Sequence, residues 1–447
     1  MNKLERYSSY KDSGAQWLEE IPEHWEVVKI KYLMDEKKKT HNITLNCGSI
    51  SFGKVVYKDD EKIPLSTKKA YQVVEKGNFL VNPLNLNYDL KSLRIALSDL
   101  NVVVSSGYIV LDILRDINKS YLNYLLHRFD VSFMKTLGAG VRQTLNYTDI
   151  SECELVEPPK QEQIKIASFL DTKTEQLDKA IKQKEQLIEL LKERREILIN
   201  DAVTKGEMRQ NHQLLDDFSI GTKGDVQSTA DGVQRAMKDS GVEWIGEIPE
   251  GWEVKKLKYV SNIFRGKFTH RPRNDSRLYD GAYPFFQTGD IARAGKYLSA
   301  YKQTLNEKGL KVSTLFPKGT IVVTIAANIG DVSILDIDAC FPDSIVGFSP
   351  LICITNQFLY HTLTVMKDVF MSSTIKNTQM NLNIDRIGSN LISLPSIQEQ
   401  EAIINYIEKN NQKIDKAIDL QQQQITKLKE YKTTLIDSVV TGKVRVV

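Results

Sequence analysis

The amino-acid sequence predicts an α+β protein in which two mixed α/β domains are joined by two long antiparallel coiled-coil helices, with an internal pseudo-twofold repeat. Three observations lead there. The opening and the close of one half of the chain recur in the other half. Each half ends on a long run of residues in which apolar side chains recur at alternating four- and three-residue spacing. Between these ends, short apolar runs of strand length mix with helical stretches.

The repeat is direct. Lys11 to Leu33 reads KDSGAQWLEEIPEHWEVVKIKYL and Lys238 to Val260 reads KDSGVEWIGEIPEGWEVKKLKYV, with 15 of 23 positions identical at an offset of 227. A second match begins near Leu145 at an offset of 237 and runs without a gap to Thr204 and Thr441. There Gln161-Glu162-Gln163 faces Gln398-Glu399-Gln400, and Asp178-Lys179-Ala180-Ile181 faces Asp415-Lys416-Ala417-Ile418. The middles, roughly 34–139 and 261–376, share little. A solenoid repeats every ~20–50 residues and has a different pattern. A constant frame around a variable middle implies two domains with different surfaces. The expected division is a first domain at 1–157, a long helix at 158–205 and a linker at 206–237, then a second domain at 238–394 and a second long helix at 395–442.

Within the middles, Val102-Val103-Val104 and Ile321 to Ile325 read as strands, and 121–133 and 356–371 as helices. Pro158-Pro159 and Pro395 stand where proline suits a helix start. The first seam then runs through Leu170, Thr174, Leu177, Ile181, Lys184, Ile188, Leu191, Arg195, Leu198 and Ala202. The second runs through Ile407, Asn411, Ile414, Ile418, Gln421, Ile425, Leu428, Lys432, Leu435 and Val439. The polar breaks match: Thr174 with Asn411, Lys184 with Gln421, Arg195 with Lys432. Antiparallel folding about the centre sets Lys184 near Gln421, Thr174 near Lys432 and Arg195 near Asn411, and polar seam residues of this kind fix register. The 206–236 segment is polar, rich in Gly, Ser, Thr, Asp and Gln, and reads as a linker with at most one short helix.

Composition excludes several classes. At 447 residues the chain is too long for one ordinary core. A net charge of +3, from 60 basic and 57 acidic side chains, permits a nucleic-acid partner without demanding one. No apolar stretch approaches the ~20 residues of a membrane helix, and the start is not a signal peptide. Cytoplasmic residence is therefore expected. Cys47, Cys153, Cys340 and Cys353 form no C-x-x-C pair, so they read as free thiols rather than zinc ligands. Catalytic motifs are missing too. Gly48 to Lys54 opens like a phosphate-binding loop, but Val55 stands where Ser or Thr must hold magnesium. Asn82-Pro83-Leu84 lacks the second proline and the aromatic of an adenine-methyltransferase motif, and no histidine pair has metal-binding spacing.

EIPEHWEVVKIKYL at Glu20 to Leu33, with EIPEGWEVKKLKYV at Glu247 to Val260, resembles the opening motif of target-recognition domains in specificity subunits of type I restriction–modification systems. PPKQEQIKIASFL at Pro158 to Leu170 and LPSIQEQEAIINYI at Leu394 to Ile407 resemble the start of that family's two helical regions. PFFQTGDI at Pro284 to Ile291 and the Ala-Asn-Ile-Gly loop around Asn328 are similar to one class of these domains. The first domain departs from them, with LNCGSISFGKVV at Leu45 to Val56, and Asn82 to Tyr88 in place of the Ala-Asn-Ile-Gly loop. The resemblance covers nearly the whole chain. It implies a non-catalytic subunit with no cofactor of its own, which binds duplex DNA and two modification subunits and further recruits two restriction subunits. S-adenosylmethionine, ATP and magnesium belong to those partners, and the complex sits on DNA in a bacterial nucleoid. It also implies a site of two halves separated by unspecified bases. The 44 residues from Gln161 to Thr204 give roughly 66 Å of helix as a spacer, so inserted helical turns are expected to lengthen the gap.

Reading bases needs Arg or Lys for guanine and Asn or Gln for adenine at major-groove edges, while phosphate contacts carry no sequence information. In the second domain the basic, aromatic run Phe264 to Arg273 supplies Arg265, Lys267, His270, Arg271 and Arg273 as candidates, joined by Gln287, Thr288, Asn328, Lys376, Asn377 and Gln379. In the first domain the candidates are Lys54, Asn82, Asn85, Asn87, Tyr88, Lys91, Arg94, Arg142 and Gln143. Trp17, Trp25, Trp244 and Trp252 lie in the repeated frame and read as structural anchors, since sequence reading should vary between domains and a mounting point should not. Two other readings stay open here: a coiled-coil scaffold that binds proteins alone, and a single-chain DNA-modifying enzyme with an unrecognised site.

Overall fold

The computed structural model describes residues 5–15, 17–84, 93–134, 137, 144–208, 236–372 and 384–446. The chain forms two compact units, residues 1–185 with 422–447 and residues 186–421.

In the first unit the elements used below are β1 (Glu26–Lys29), β2 (Met34–Glu36), β3 (Gly48–Ser51), β4 (Lys54–Tyr57), β5 (Phe79–Val81), β6 (Ile95–Leu97), β7 (Ile109–Ile113), α1 (Lys119–Ser132), β8 (Glu154–Glu157) and the long helix α2 (Lys160–Lys205), whose later part belongs to the second unit. The first and last strands pair antiparallel, with Val28 opposite Leu155. This ladder explains the constant frame: it holds the two ends of the variable middle side by side. β2, β7, β5 and β6 form a four-stranded antiparallel sheet in that order. The core is packed with alternate-facing aliphatics and with Trp25, Tyr121 and Phe129, all fully buried.

The second unit holds β9 (Glu253–Lys256), β10 (Ser261–Arg265), β11 (Ile321–Thr324), β12 (Val332–Leu335), β13 (Ile345–Pro350), α3 (Asn356–Val365), β14 (Leu391–Leu394) and α4 (Ile397–Val440), whose last part returns to the first unit. β9 and β14 repeat the frame ladder, with Lys255 opposite Ile392, the residues 227 and 237 beyond Val28 and Leu155. The main sheet runs β10, β13, β11, β12, followed by the short strand Tyr297–Leu298. One row across it is Ile263–Phe348–Ile321–Ile334, and the first unit has Glu36–Leu111–Phe79–Leu97. The divergent middles therefore share a strand order. The helix expected at 121–133 is α1; that expected at 356–371 is broken at Met366 into α3 and Lys367–Ser372, and the periodicity carries through because Met366 and Phe370 are both buried.

The repeated Gln-Glu-Gln stretch has a physical purpose in each copy. Gln163 is buried, accepts from Asn118 N at 2.9 Å and donates to Pro158 O at 2.8 Å, which ties the start of α1 to the start of α2. Gln400 does the same with Thr355 N (2.8 Å) and Pro395 O (3.0 Å). Glu162 accepts from the Trp25 indole N–H at 3.1 Å and Glu399 from that of Trp252 at 3.4 Å. The expected anchor role of the tryptophans agrees with this: Trp25 and Trp252 are buried, and Trp17 donates to Glu154 O at 2.9 Å. In the first unit Gly442, just past α4, lies against Trp25, and a side chain there would come within 2.4 Å of Pro22. In the second, Gly206, just past α2, lies against Trp252, where a side chain would approach to 2.8 Å. Both glycines have φ near +70°, the left-handed helix ending that glycine allows (φ 66 and 75).

Every expected seam position on α2 and α4 is buried or half-buried. Within the first unit the helices run antiparallel, with Lys432 paired to Asp178 at 2.7 Å and Lys184 bonded to Gln424. Within the second, Arg195 pairs with Asp415. The direction is as expected, and each long polar side chain reaches a group about one helical turn along from its expected neighbour: Lys184 reaches Gln424, Lys432 reaches Asp178 and Arg195 reaches Asp415. Long side chains lean along the helix to reach carboxylates and amides on the flanks of the seam. Thr174 instead hydrogen-bonds Tyr124 on α1 at 3.1 Å.

His361, buried in α3, is pushed down to about 3 by burial, with the Lys296 charge acting the same way. The folded state keeps it neutral while the unfolded chain takes up a proton below its usual value of ~6.5. Stability of the second unit is thus expected to fall as pH drops from about 6.5 towards 3, by up to about 1.4 kcal/mol per pH unit from this group. Urea unfolding at pH 7 and pH 5 checks it, and His361→Leu should flatten the dependence; an unchanged slope would refute the assignment.

Candidate nucleic-acid interface

The strand order places variable loops at one end of each main sheet. In the second unit β10 ends, β11 ends and β13 begins at the same end, where Arg265 faces Val346 and Thr324 faces Ile345. The basic run after β10 and the 325–331 loop after β11 therefore emerge together. Asp343, just before β13, organises the basic run. Its carbonyl accepts from Arg265 Nε at 2.6 Å, and its carboxylate pairs with Arg273 at 2.5 Å and Arg271 at 3.8 Å. Arg271 also donates to Phe268 O (2.8 Å) and His270 O (2.9 Å), so its guanidinium is held over its own turn. His270 and Arg277 share Asp275, whose carboxyl the Arg277 hydrogen bond holds well below the usual carboxylate range. Arg271, Arg273 and Arg277 keep side-chain exposures of 55%, 45% and 77%, and Lys267 is exposed. Three arginines thus pair with two carboxylates, and exposed Arg265 and Lys267 beside them leave a surplus that is positive and solvent-facing.

Nearby, Cys340 O and Phe341 O accept from Phe286 N and Lys267 N, each at 3.0 Å, so Gln287 and Lys267 flank one short strand. Gln287 is half-buried and donates from Nε2 to Gln303 at 3.2 Å; Thr288 opens the six-residue helix Thr288–Arg293. Asn328 is exposed at the crest of its loop, whose base is closed by Thr324 bonding Asn328 O and Asp331 N. Ala327 beside it takes a left-handed conformation (φ 63).

In the first unit the equivalent end is where β5 ends, β6 begins and the chain leaves β2. Asn82 follows β5 as the Ala-Asn-Ile-Gly loop follows β11, and β5 and β11 are equivalent strands. Asn82 is half-buried and uses its Oδ1 to accept from Leu84 N at 3.2 Å. Arg94 departs from its expected DNA contact. It is 7% exposed and its Nε bonds Asp130, fully buried, at 3.0 Å, so it braces β6 against α1 from inside. Burying a guanidinium is tolerable only beside such a carboxylate. Lys54 is exposed on β4. Asn85, Asn87, Tyr88, Lys91, Arg142, Gln143, Lys376, Asn377 and Gln379 lie outside the described residues.

Sequence reasoning missed Lys38 and Lys39. They leave β2 where Arg265 and Gly266 leave β10, and both are exposed, with Lys39 reaching Ser106 O at 3.2 Å. The Lys37-Lys38-Lys39 run was visible, but only the pairing of β2 and β10 with equivalent strands gives it a counterpart. Among the described residues there is no cluster of metal-ligating side chains, and no helix long and apolar enough to cross a membrane.

Comparison with known proteins agrees with this arrangement. A family model described as type I restriction modification DNA specificity domain matches residues 22–190 and again 249–430. A protein assigned as the type I restriction enzyme MjaX specificity subunit of Methanocaldococcus jannaschii is 25% identical over 475 residues, covering 98% of both chains. The type I restriction enzyme MjaIX specificity subunit of the same organism is 30% identical over 168 residues, 36% of this chain and 38% of that protein. Among solved structures, a chain from work on complex assembly and conformational transition of the type I R-M system superposes with a TM-score of 0.66 at 16% identity, covering 95% of this chain and 99% of its own length. The HsdS subunit from Thermoanaerobacter tengcongensis gives 0.51 at 14% identity, covering 95% and 98%. With the model matching both halves over the same frame that the repeat defines, this chain belongs to the family of type I restriction–modification DNA specificity subunits.

Proposed function

We propose that the chain reads a bipartite, asymmetric duplex DNA site, one half with each domain, and directs adenine methylation and DNA cleavage that partner subunits carry out. The observation that carries this is a shared strand order beneath unlike loops: Lys38, Lys39 and Asn82 stand at the sheet end where the second domain has Arg265 to Arg273 and Asn328. A common scaffold with interchangeable chemistry at one edge is what two different words require. The chain itself carries no catalytic step; S-adenosylmethionine, ATP and magnesium act on two modification and two restriction subunits. The setting is the bacterial cytoplasm, on the nucleoid. The exposed Tyr32 and Tyr259, each with the preceding lysine ammonium 5.4 or 5.2 Å from its ring, repeat in the constant frame and support a partner that binds twice.

Duplex binding at several salt concentrations tests the reading. Lys267→Ala, Arg271→Ala and Arg273→Ala are each expected to weaken binding. A lost phosphate contact lowers the salt slope by roughly 0.9, whereas a lost guanine contact costs about 1–3 kcal/mol and relaxes one base of one half-site. If all three bind as the parent does, the basic run is ordinary loop surface. Binding without salt dependence, or to proteins alone, would return the scaffold reading.

A further inference from the structure

We propose that Phe52, at the tip of the β3–β4 hairpin, is an apolar base contact of the first domain, carried into the major groove of duplex DNA on a rigid two-stranded ribbon. The inference rests on the DNA-reading function above and adds to it a residue outside every basic or amide cluster.

The hairpin pairs Ser51 with Lys54, so its loop is the two residues Phe52 and Gly53. Both have positive φ, 47 and 73. That is a type I′ turn, for which Asn-Gly is the preferred pair. A bulky residue in the left-handed region is an outlier, and such outliers cluster where function demands them. Phe52 is also 88% exposed. Local physics thus disfavours phenylalanine here on two independent grounds, backbone conformation and hydration, and folding gains little from it.

The tip is not loose. Gly53 is so closely packed that an added side chain would approach Leu93 to 2.7 Å and His127 to 3.2 Å. Leu93 ends the β5–β6 loop, at the sheet end already identified as the candidate interface, and His127 is fixed on α1 by its bond to Ile95 O at 3.0 Å. The hairpin is therefore seated on α1 and on Leu93, with its aromatic tip projecting. Lys54, next to the tip, and Lys58, at the foot of the ribbon, are exposed cations suited to phosphates. A two-stranded ribbon fits the ~12 Å major groove, where apolar side chains read bases by contact. Exposed Lys54, directly after the tip, supplies a cation suited to a phosphate beside the ring, which favours duplex DNA over an apolar protein partner.

Phe52→Asn separates the roles, because it installs the preferred turn pair and removes the ring. The experiment uses the full chain with its modification subunits, and duplexes carrying the site found by methylation mapping, scanned one base pair at a time. Phe52→Asn should hold or raise the Tm, weaken binding roughly tenfold or more, and relax discrimination at one position of one half-site only. Phe52→Tyr should keep most of the affinity. Binding and discrimination equal to the parent in Phe52→Asn would overturn the proposal. So would loss confined to association with a modification subunit, which would make the tip a protein contact. A parent complex that binds no duplex would instead overturn the DNA-reading function beneath it.

Discussion

Replacing residues 34–139 with the middle of another specificity domain should change one half of the methylated site and leave the other half as it was. The frame explains why the exchange is tolerated. The chain enters the middle from β1 and returns to β8, which is paired with β1 over four residue pairs from Glu26–Glu157 to Lys29–Glu154. Trp25 and Glu162, which fasten that ladder to α2, lie outside the exchanged segment, and Gln163 holds the incoming α1 through the backbone N–H of residue 118, which any residue but proline supplies. The candidate DNA-facing residues of the first domain lie inside it, apart from Arg142 and Gln143. Specific binding exceeds non-specific binding by about a thousandfold or more, so methylation of the old word should vanish rather than weaken. Methylome sequencing of cells expressing the exchanged chain reads the result. If both halves change together, the two domains do not read independently.

Trp25→Ala should destabilise the first unit by about 3–5 kcal/mol, the usual cost of emptying a fully buried indole site. It also leaves Glu162 without one of its three donors, Trp25, His24 and Tyr7. Gly442→Val should act on the same lock from the other side, since a side chain there meets Pro22 at 2.4 Å and the residue must keep φ at 75. Trp252→Ala and Gly206→Val are the matching changes in the second unit. Amide hydrogen exchange separates the two, because a chain of two units need not unfold in one step. Trp25→Ala should strip protection from α1 and spare α3, and Trp252→Ala should do the reverse. Equal loss in both helices from either change would show a single cooperative fold instead.

The sequence by itself determined what repeats along one dimension. Identity at a fixed offset marked the frame, and four-three spacing marked the seam positions of α2 and α4, because periodicity is a local property that survives in the chain order. The placement of Trp17, Trp25, Trp244 and Trp252 in the repeated frame and not in the variable middles likewise pointed to them as anchors. Which residues face DNA was a different matter. Arg94 and Lys54 look alike in the sequence, and only the approach of α1, bringing Asp130 to Arg94, turns one inward and leaves the other exposed. Lys38 and Lys39 gained a counterpart only when β2 and β10 proved to occupy the same edge of equivalent sheets. The one-turn shift of polar partners along the helix pair and the projection of Phe52 were decided the same way. Strand pairing, helix approach and side-chain lean join residues distant in the chain, and no spacing along the sequence encodes which of them will meet.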